Sequence, residues 1–209
     1  MTRSLFFPIL KTTLLFCLLT VLGNRVYAQN ADINLLKSIN PVTPSSAFWR
    51  GASNSAYPLT LGVQGGLMAY DYFKSDSSRG RIPWHIAEKL VVLVLTEGIK
   101  YAINRPRPYI SYPGIVHPYE TAETGLSFPS AHTSLAFNTA AMLDIRFHKW
   151  YITAPAYVWA SAVGYSRLYL GEHYPSDVLA GAALGVGSAY LVHWIDKKIY
   201  QKRTRKIHG

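Results

Sequence analysis

Apolar residues gather into five long segments, about 55–73, 85–104, 130–146, 150–168 and 177–196, with polar and charged residues concentrated between them. Each segment is long enough for a helix and too long for an ordinary strand, and nowhere does the chain alternate polar and apolar residues between regular turn signals. The pattern predicts an all-α helical bundle. Segment 85–104 carries Glu88, Lys89, Glu97 and Lys100. Within a bilayer such charges must face the protein interior, a water-filled cavity or the interface, because hydrocarbon offers an ion no partner. A further apolar run, Thr12–Leu22, follows Arg3 and Lys11 and leads to Val26-Tyr27-Ala28. It is shorter than the roughly 20 residues that span a bilayer. With a small residue at Ala28 it reads as an export signal cleaved before Gln29. An uncleaved first transmembrane helix is the alternative, and would make six helices instead of five. The expected organisation is then a signal or first span at 1–28, a polar periplasmic leader at 29–54 containing Pro41 and Pro44, one helical domain at 55–198, and a basic cytoplasmic tail at 199–209.

Charge orients this bundle. One set of connections contains Lys74, Arg79 and Arg81, then Arg146 and Lys149, then the tail from Lys197. The alternate set contains Arg25, Lys37 and Arg50, then Arg105 and Arg107, then Arg167. The first set is richer in cations, so the positive-inside rule makes it cytoplasmic and turns the second set outward. Composition fits a membrane bundle: 49% of residues are hydrophobic and 15% charged, against about 25% charged in typical soluble domains. The bacterial cytoplasmic membrane, with the second set facing the periplasm, is the expected location. A mean hydropathy of only +0.08 keeps a soluble periplasmic protein as the alternative. The net charge of +10 raises nucleic-acid binding. No nucleic-acid motif accompanies it, and the cations flank apolar segments and crowd the tail, so no nucleic-acid partner is expected. The single cysteine, Cys17, allows neither an internal disulfide nor a cysteine-based metal site.

Three clusters on the outward side carry candidate chemistry. In the first, Lys100 and Arg107 lie seven residues apart and would share a face if the helix persisted, but Pro106 and Pro108 predict that it ends near Asn104. A lysine point charge and an arginine fork at one helix end suit a phosphate. Interfacial snorkelling would place them in the same way. In the second, Pro129-Ser130-Ala131-His132 opens an apolar helix with Ser130 at the N-cap. The free N–H groups of that first turn attract an anion. A capped helix with an incidental histidine is the plainer reading. In the third, Ser166-Arg167 is followed by His173 and Asp177, four residues apart at the start of the last apolar helix. That spacing can bring the carboxylate to one imidazole nitrogen, fixing the tautomer and leaving the other nitrogen to attack. A hydrogen bond that serves only the helix start is the competing reading.

Together the clusters resemble the three motifs of the type 2 phosphatidic acid phosphatase superfamily, which also includes bacterial class A acid phosphatases and vanadium haloperoxidases. Lys100, Arg107 and Pro108 match its first motif, so Arg107 is preferred to Arg105. Pro129, Ser130 and His132 match the second, with Ala131 in place of glycine. Ser166, Arg167, His173 and Asp177 match the third. The compact core containing Gly-Glu-His-Tyr-Pro-Ser-Asp is similar to that of some lipid A phosphatases. The resemblance implies that His173 is a nucleophile forming a phosphohistidine, that His132 protonates the leaving oxygen and then activates water, and that Asp177 orients His173. It implies that Lys100, Arg107, Ser130, Ala131 and Arg167 hold the phosphoryl group, with no metal and no cofactor. The implied substrate is a phosphate monoester or diphosphate on a membrane lipid: lipid A, undecaprenyl diphosphate, phosphatidylglycerophosphate or phosphatidic acid. A soluble acid phosphatase of broad specificity is the alternative, and a vanadium haloperoxidase a more distant one. Alanine at position 131 matters if the site needs a positive φ there, which alanine resists.

Overall fold

The computed structural model describes residues 25–74, 82–120 and 125–208. The apolar run at Thr12–Leu22 lies outside the described residues, as do Arg79 and Arg81. Among the described residues there are helices and no strands. The five expected segments are α3 (Ala56–Lys74), α4 (Ile82–Ile103), α6 (Ala131–Phe147), α7 (Trp150–Tyr169) and α8 (Pro175–His208). Three shorter helices join them: α1 (Arg25–Ile39), α2 (Ala47–Asn54) and the single turn α5 (Pro108–Ser111). At 1.5 Å per residue, the 20 residues of α7 are about 30 Å long, the thickness of a bilayer's hydrocarbon core. Among the described residues, one helix qualifies as a span by length and composition together, Pro175–Ile199 of α8.

Helix α6 is the centre of the bundle, packed most closely against α8 and then α7. Small residues let α8 approach. A Cβ placed on Gly181 would stand 2.7 Å from the Ser130 carbonyl oxygen, and one on Gly185 would stand 2.8 Å from the Asn138 backbone nitrogen. Close approach through small residues is how helices associate where lipid supplies no hydrophobic drive between them.

The bundle is apolar outside and polar inside. Leu61, Val94, Val158 and Leu179 are between 67% and 71% exposed, whereas Thr60, Gln64, Asp71, His85, Lys89, Asn138 and Thr139 are buried. Water would select the reverse arrangement, and a hydrocarbon solvent selects this one. The charges on segment 85–104 obey the same rule. Lys89 donates to Asn138 Oδ1 at 2.7 Å and to Thr139 Oγ1 at 3.0 Å. His85 lies 3.0 Å from Asp71, which also pairs with Arg146. Lys89, His85 and Asp71 are thus each buried beside a polar or opposite partner, as burial of polar and charged groups demands.

The polar leader expected at 29–54 is organised. Ile33 and Leu36 of α1 are buried in a cluster with Val116, Leu168 and Tyr174. Asn40 donates to the carbonyls of His117 and Tyr169 and accepts from the His117 N–H, all at 2.8–2.9 Å. The Ser46 hydroxyl caps α2 by accepting from the Trp49 N–H, and Trp49 packs on Tyr165 of α7 at 4.5 Å. Helix α1 also runs across the expected cleavage point between Ala28 and Gln29.

Candidate active site

The C-terminal end of α4, the N-terminal end of α6, the α7–α8 connection and helices α1 and α2 meet at one end of the bundle. Helix α4 stops where the prolines predict. Asn104 takes a left-handed φ of 51°, which asparagine tolerates better than most residues, and the chain then runs extended into Pro108. Lys100 and Arg107 therefore do not share a helical face, and the turn at Asn104 brings them to the site instead.

Arg107 and Arg167 are tied by a residue that motif spacing did not single out. Glu172 Oε2 lies 2.6 Å from Arg107 Nη1 and 3.8 Å from Arg167 Nη2. Arg167 Nη1 also donates to Ser53 Oγ of α2 at 2.7 Å. Both guanidinium groups are buried, so they are held in place before any substrate arrives. Lys100 lies 3.6 Å from Glu97 one turn earlier in α4.

His173 is buried in the α7–α8 connection. Its Nδ1 lies 2.8 Å from the Ser127 carbonyl oxygen and 3.5 Å from Asp177 Oδ2. A carbonyl only accepts, so Nδ1 carries the proton and Nε2 carries the lone pair. Asp177 thus lies within ion-pair distance of Nδ1, as the four-residue spacing expects, while the shorter contact of Nδ1 is to the Ser127 carbonyl. Burial, followed by the positive charges of Arg167, Arg107 and Lys100, holds the His173 imidazole well below the usual value of 6.5, while the Ser127 carbonyl pulls the other way.

Asp177 is also engaged elsewhere. It accepts from Arg105 Nη1 at 2.7 Å and from the Tyr174 N–H at 2.9 Å. Arg105 reaches Ser176 Oγ at 2.7 Å and Asp32 Oδ2 at 2.9 Å, and lies 3.7 Å over the Tyr174 ring. Asp32 in turn accepts from the Ser176 N–H at 2.9 Å and from its hydroxyl. A carboxylate of α1 thus caps the start of α8 across 144 residues of sequence, where the helix dipole favours negative charge.

Ser130 is the N-cap of α6, but its side chain makes no capping bond. Its hydroxyl accepts from Thr133 Oγ1 at 3.0 Å, and its N–H donates to the Asp177 carbonyl at 3.1 Å. Ala131 is the first helical residue of α6 and is not among those with positive φ, so its place in the backbone makes no demand for glycine. His132 stacks edge-on against Tyr57 of α3 with ring centroids 4.8 Å apart, within electrostatic reach of Arg167, His173, Arg107 and Lys100. The five charged or imidazole residues expected around a phosphate are therefore gathered in one place. The supports that spacing missed are Asp32, Ser53, Arg105, Ser127 and Glu172. Of these Arg105 and Glu172 were visible inside the motifs, whereas Asp32, Ser53 and Ser127 carried no local signal. Among the described residues no group of three or more His, Cys, Asp or Glu side chains is placed to hold a metal ion.

The sequence profile of the PAP2 superfamily matches residues 85–201. The bacitracin transport permease protein BcrC of Bacillus licheniformis is 33% identical over 137 residues, covering 64% of each chain. The lipid A 1-phosphatase of Porphyromonas gingivalis is 37% identical over 169 residues, covering 78% of this chain and 34% of its own length. Thus the chain spans about two thirds of one of these curated relatives and about one third of the other. The crystal structure of a transmembrane PAP2-type phosphatidylglycerolphosphate phosphatase from Bacillus subtilis superposes with a TM-score of 0.62 at 27% identity, covering 91% of this chain and 96% of that one.

Proposed function

The chain belongs to the PAP2 superfamily, and from that premise we propose that it is a membrane lipid phosphatase working through a phosphohistidine. The reading rests above all on one observation: His173 is held with Nδ1 protonated against the Ser127 carbonyl, so that Nε2 keeps its lone pair among three cations. A neutral imidazole is the nucleophilic form, and the cations supply the charge that a phosphoryl group in transit requires.

In the proposed reaction a lipid phosphate enters between Lys100, Arg107 and Arg167, with the first N–H groups of α6 facing it. Nε2 attacks phosphorus, a nitrogen–phosphorus bond forms, and the bond to the lipid oxygen breaks. His132 gives its proton to that oxygen. It then takes a proton from water, which attacks phosphorus and releases inorganic phosphate and the free imidazole. The substrate's negative charge favours the protonated form of His132 in the loaded site. Asp177, 3.5 Å from Nδ1, orients His173 and also fixes Arg105 and the start of α8.

The exposed apolar and buried polar side chains support a membrane setting, for which we propose the bacterial cytoplasmic membrane, and the cation-rich connections favour a periplasm-facing site. The relatives' names put lipid A, phosphatidylglycerophosphate and undecaprenyl diphosphate on an equal footing as candidate substrates, and phosphatidic acid belongs to the same chemical class. Because protein cations carry the neutralisation, activity should survive EDTA. The test is phosphate release from a panel of lipid and soluble phosphate esters by the natural chain and by His173→Ala, each with and without EDTA. Lipid esters should be preferred, and the variant should lose activity by at least 10³-fold, about 4 kcal/mol of barrier. Full phosphate release by His173→Ala would overturn the mechanism.

A further inference from the structure

Helix α2 presents a second arginine to the site. Arg50 and Ser53 lie one turn apart on α2, and Ser53 is the partner of Arg167. Arg50, Ser53, Tyr119, Arg167 and Glu172 line a common cavity of about 20 Å³, room for about one water molecule. Arg50 Nη1 donates to the Tyr119 hydroxyl at 2.6 Å and its guanidinium lies 4.9 Å from the Tyr119 ring centroid. These neutral contacts orient the arginine without cancelling its charge. Its Nε is buried, and among the described residues it has no hydrogen-bond acceptor. Of the two carboxylates lining the cavity, Glu172 is engaged with Arg107 and Arg167, and Glu120 is exposed and not within ion-pair distance of Arg50. One wall of the candidate phosphate site therefore continues into a cavity with an oriented arginine that has no ion-pair partner among the described residues.

We propose that Arg50 forms a second anion subsite at the mouth of this cavity, where one oxygen of a phosphate adjoining the one that reacts fills the one-water space, and so makes the enzyme favour substrates with two neighbouring phosphates. The inference rests on the phosphatase reading of the adjacent site. A planar guanidinium held by a phenol keeps N–H donors for a phosphate oxygen, and Arg167 between the two positions can serve both groups. A monoester with a neutral remainder leaves the subsite empty.

The test separates the subsite from the catalysis. Inorganic phosphate and inorganic diphosphate are titrated calorimetrically into the full chain in detergent micelles, for the natural protein, Arg50→Gln and Arg50→Lys. The natural protein should bind diphosphate more tightly than phosphate. Arg50→Gln should reduce that preference at least tenfold, and Arg50→Lys should keep part of it. A preference unchanged within twofold in Arg50→Gln, or equal weakening of both anions, overturns the subsite whatever the activity. In parallel, farnesyl diphosphate and farnesyl monophosphate, which differ by that one phosphate, are compared as substrates. A shifted binding preference with no phosphate release from either would keep the subsite and remove the phosphatase reading alone.

Discussion

Gly181→Ala tests the register on which the candidate site depends. A Cβ there would lie 2.7 Å from the Ser130 carbonyl oxygen, 3.2 Å from Thr133 Cβ and 3.3 Å from Ser134 Oγ. The carbonyl is not free to turn aside, since it accepts both the Ser134 N–H and the Ser134 hydroxyl at 2.9 Å. Reaching 3.0–3.4 Å from a start of 2.7 Å requires α6 and α8 to separate by about 0.3–0.7 Å. That movement falls on the 3.1 Å bond from the Ser130 N–H to the Asp177 carbonyl, which sets the first turn of α6 against α8. Catalytic groups need placement within about 0.5 Å, and a 1 Å error costs about 10²-fold, so roughly a tenfold loss of activity is expected. Overpacking costs about 1–3 kcal/mol, and alanine returns about 1 kcal/mol of helix propensity, so stability should fall by no more than about 2 kcal/mol. Gly187, six residues on in the same helix, has nothing within 4 Å of its Cβ position. Gly187→Ala should therefore keep full activity and gain about 0.5–1 kcal/mol. The assays are phosphate release and thermal unfolding in detergent. Equal activity and equal unfolding temperatures for the two variants would refute the claim that α6–α8 contact sets the site.

Three further outcomes follow from other parts of the structure. Asp32→Asn weakens the cap on α8 and leaves Arg105 one carboxylate short, so stability should fall by about 1–2 kcal/mol and turnover should drop more than KM rises; wild-type turnover would show that α1 does not position the site. Because burial and three cations depress His173, its ring should remain neutral below pH 6.5 in nitrogen-15 NMR of the detergent-solubilised protein. The unfolded chain takes up that proton as pH falls through 6.5 while the folded protein does not, so stability should decline there, and less steeply in His173→Gln; a ring that titrates at 6.5 or above contradicts the proposed electrostatics. Ala131→Gly should leave the rate within about threefold and lower stability by up to about 1 kcal/mol, since residue 131 is an ordinary helical position; a large rate gain would mean that the site does require glycine there.

Much of this protein is written locally. Runs of apolar residues 17 to 20 long can satisfy their own backbone only as helices, so α3, α4, α6 and α7 are legible from the pattern, and Pro106 and Pro108 mark where α4 stops. Lys100, Arg107, His132, Arg167 and His173 are legible because each motif lies within a short stretch. The supports are not, since their partners are remote: Asp32 meets Ser176 across 144 residues, Ser53 meets Arg167 across 114, and the Ser127 carbonyl meets His173 across 46. A backbone carbonyl as the tautomer-fixing partner leaves no trace in residue type at all. The four-residue spacing of His173 and Asp177 pointed to a direct pair, and the two lie 3.5 Å apart, but the shorter bonds of that carboxylate, to Arg105 and to the Tyr174 N–H, were not legible from spacing. The sequence by itself determined the long apolar helices and the candidate reactive side chains, because periodicity and motif chemistry act over a few residues. The tertiary structure alone decided which groups hold those side chains, because hydrogen bonds form between neighbours in space and most of these neighbours are far apart along the chain.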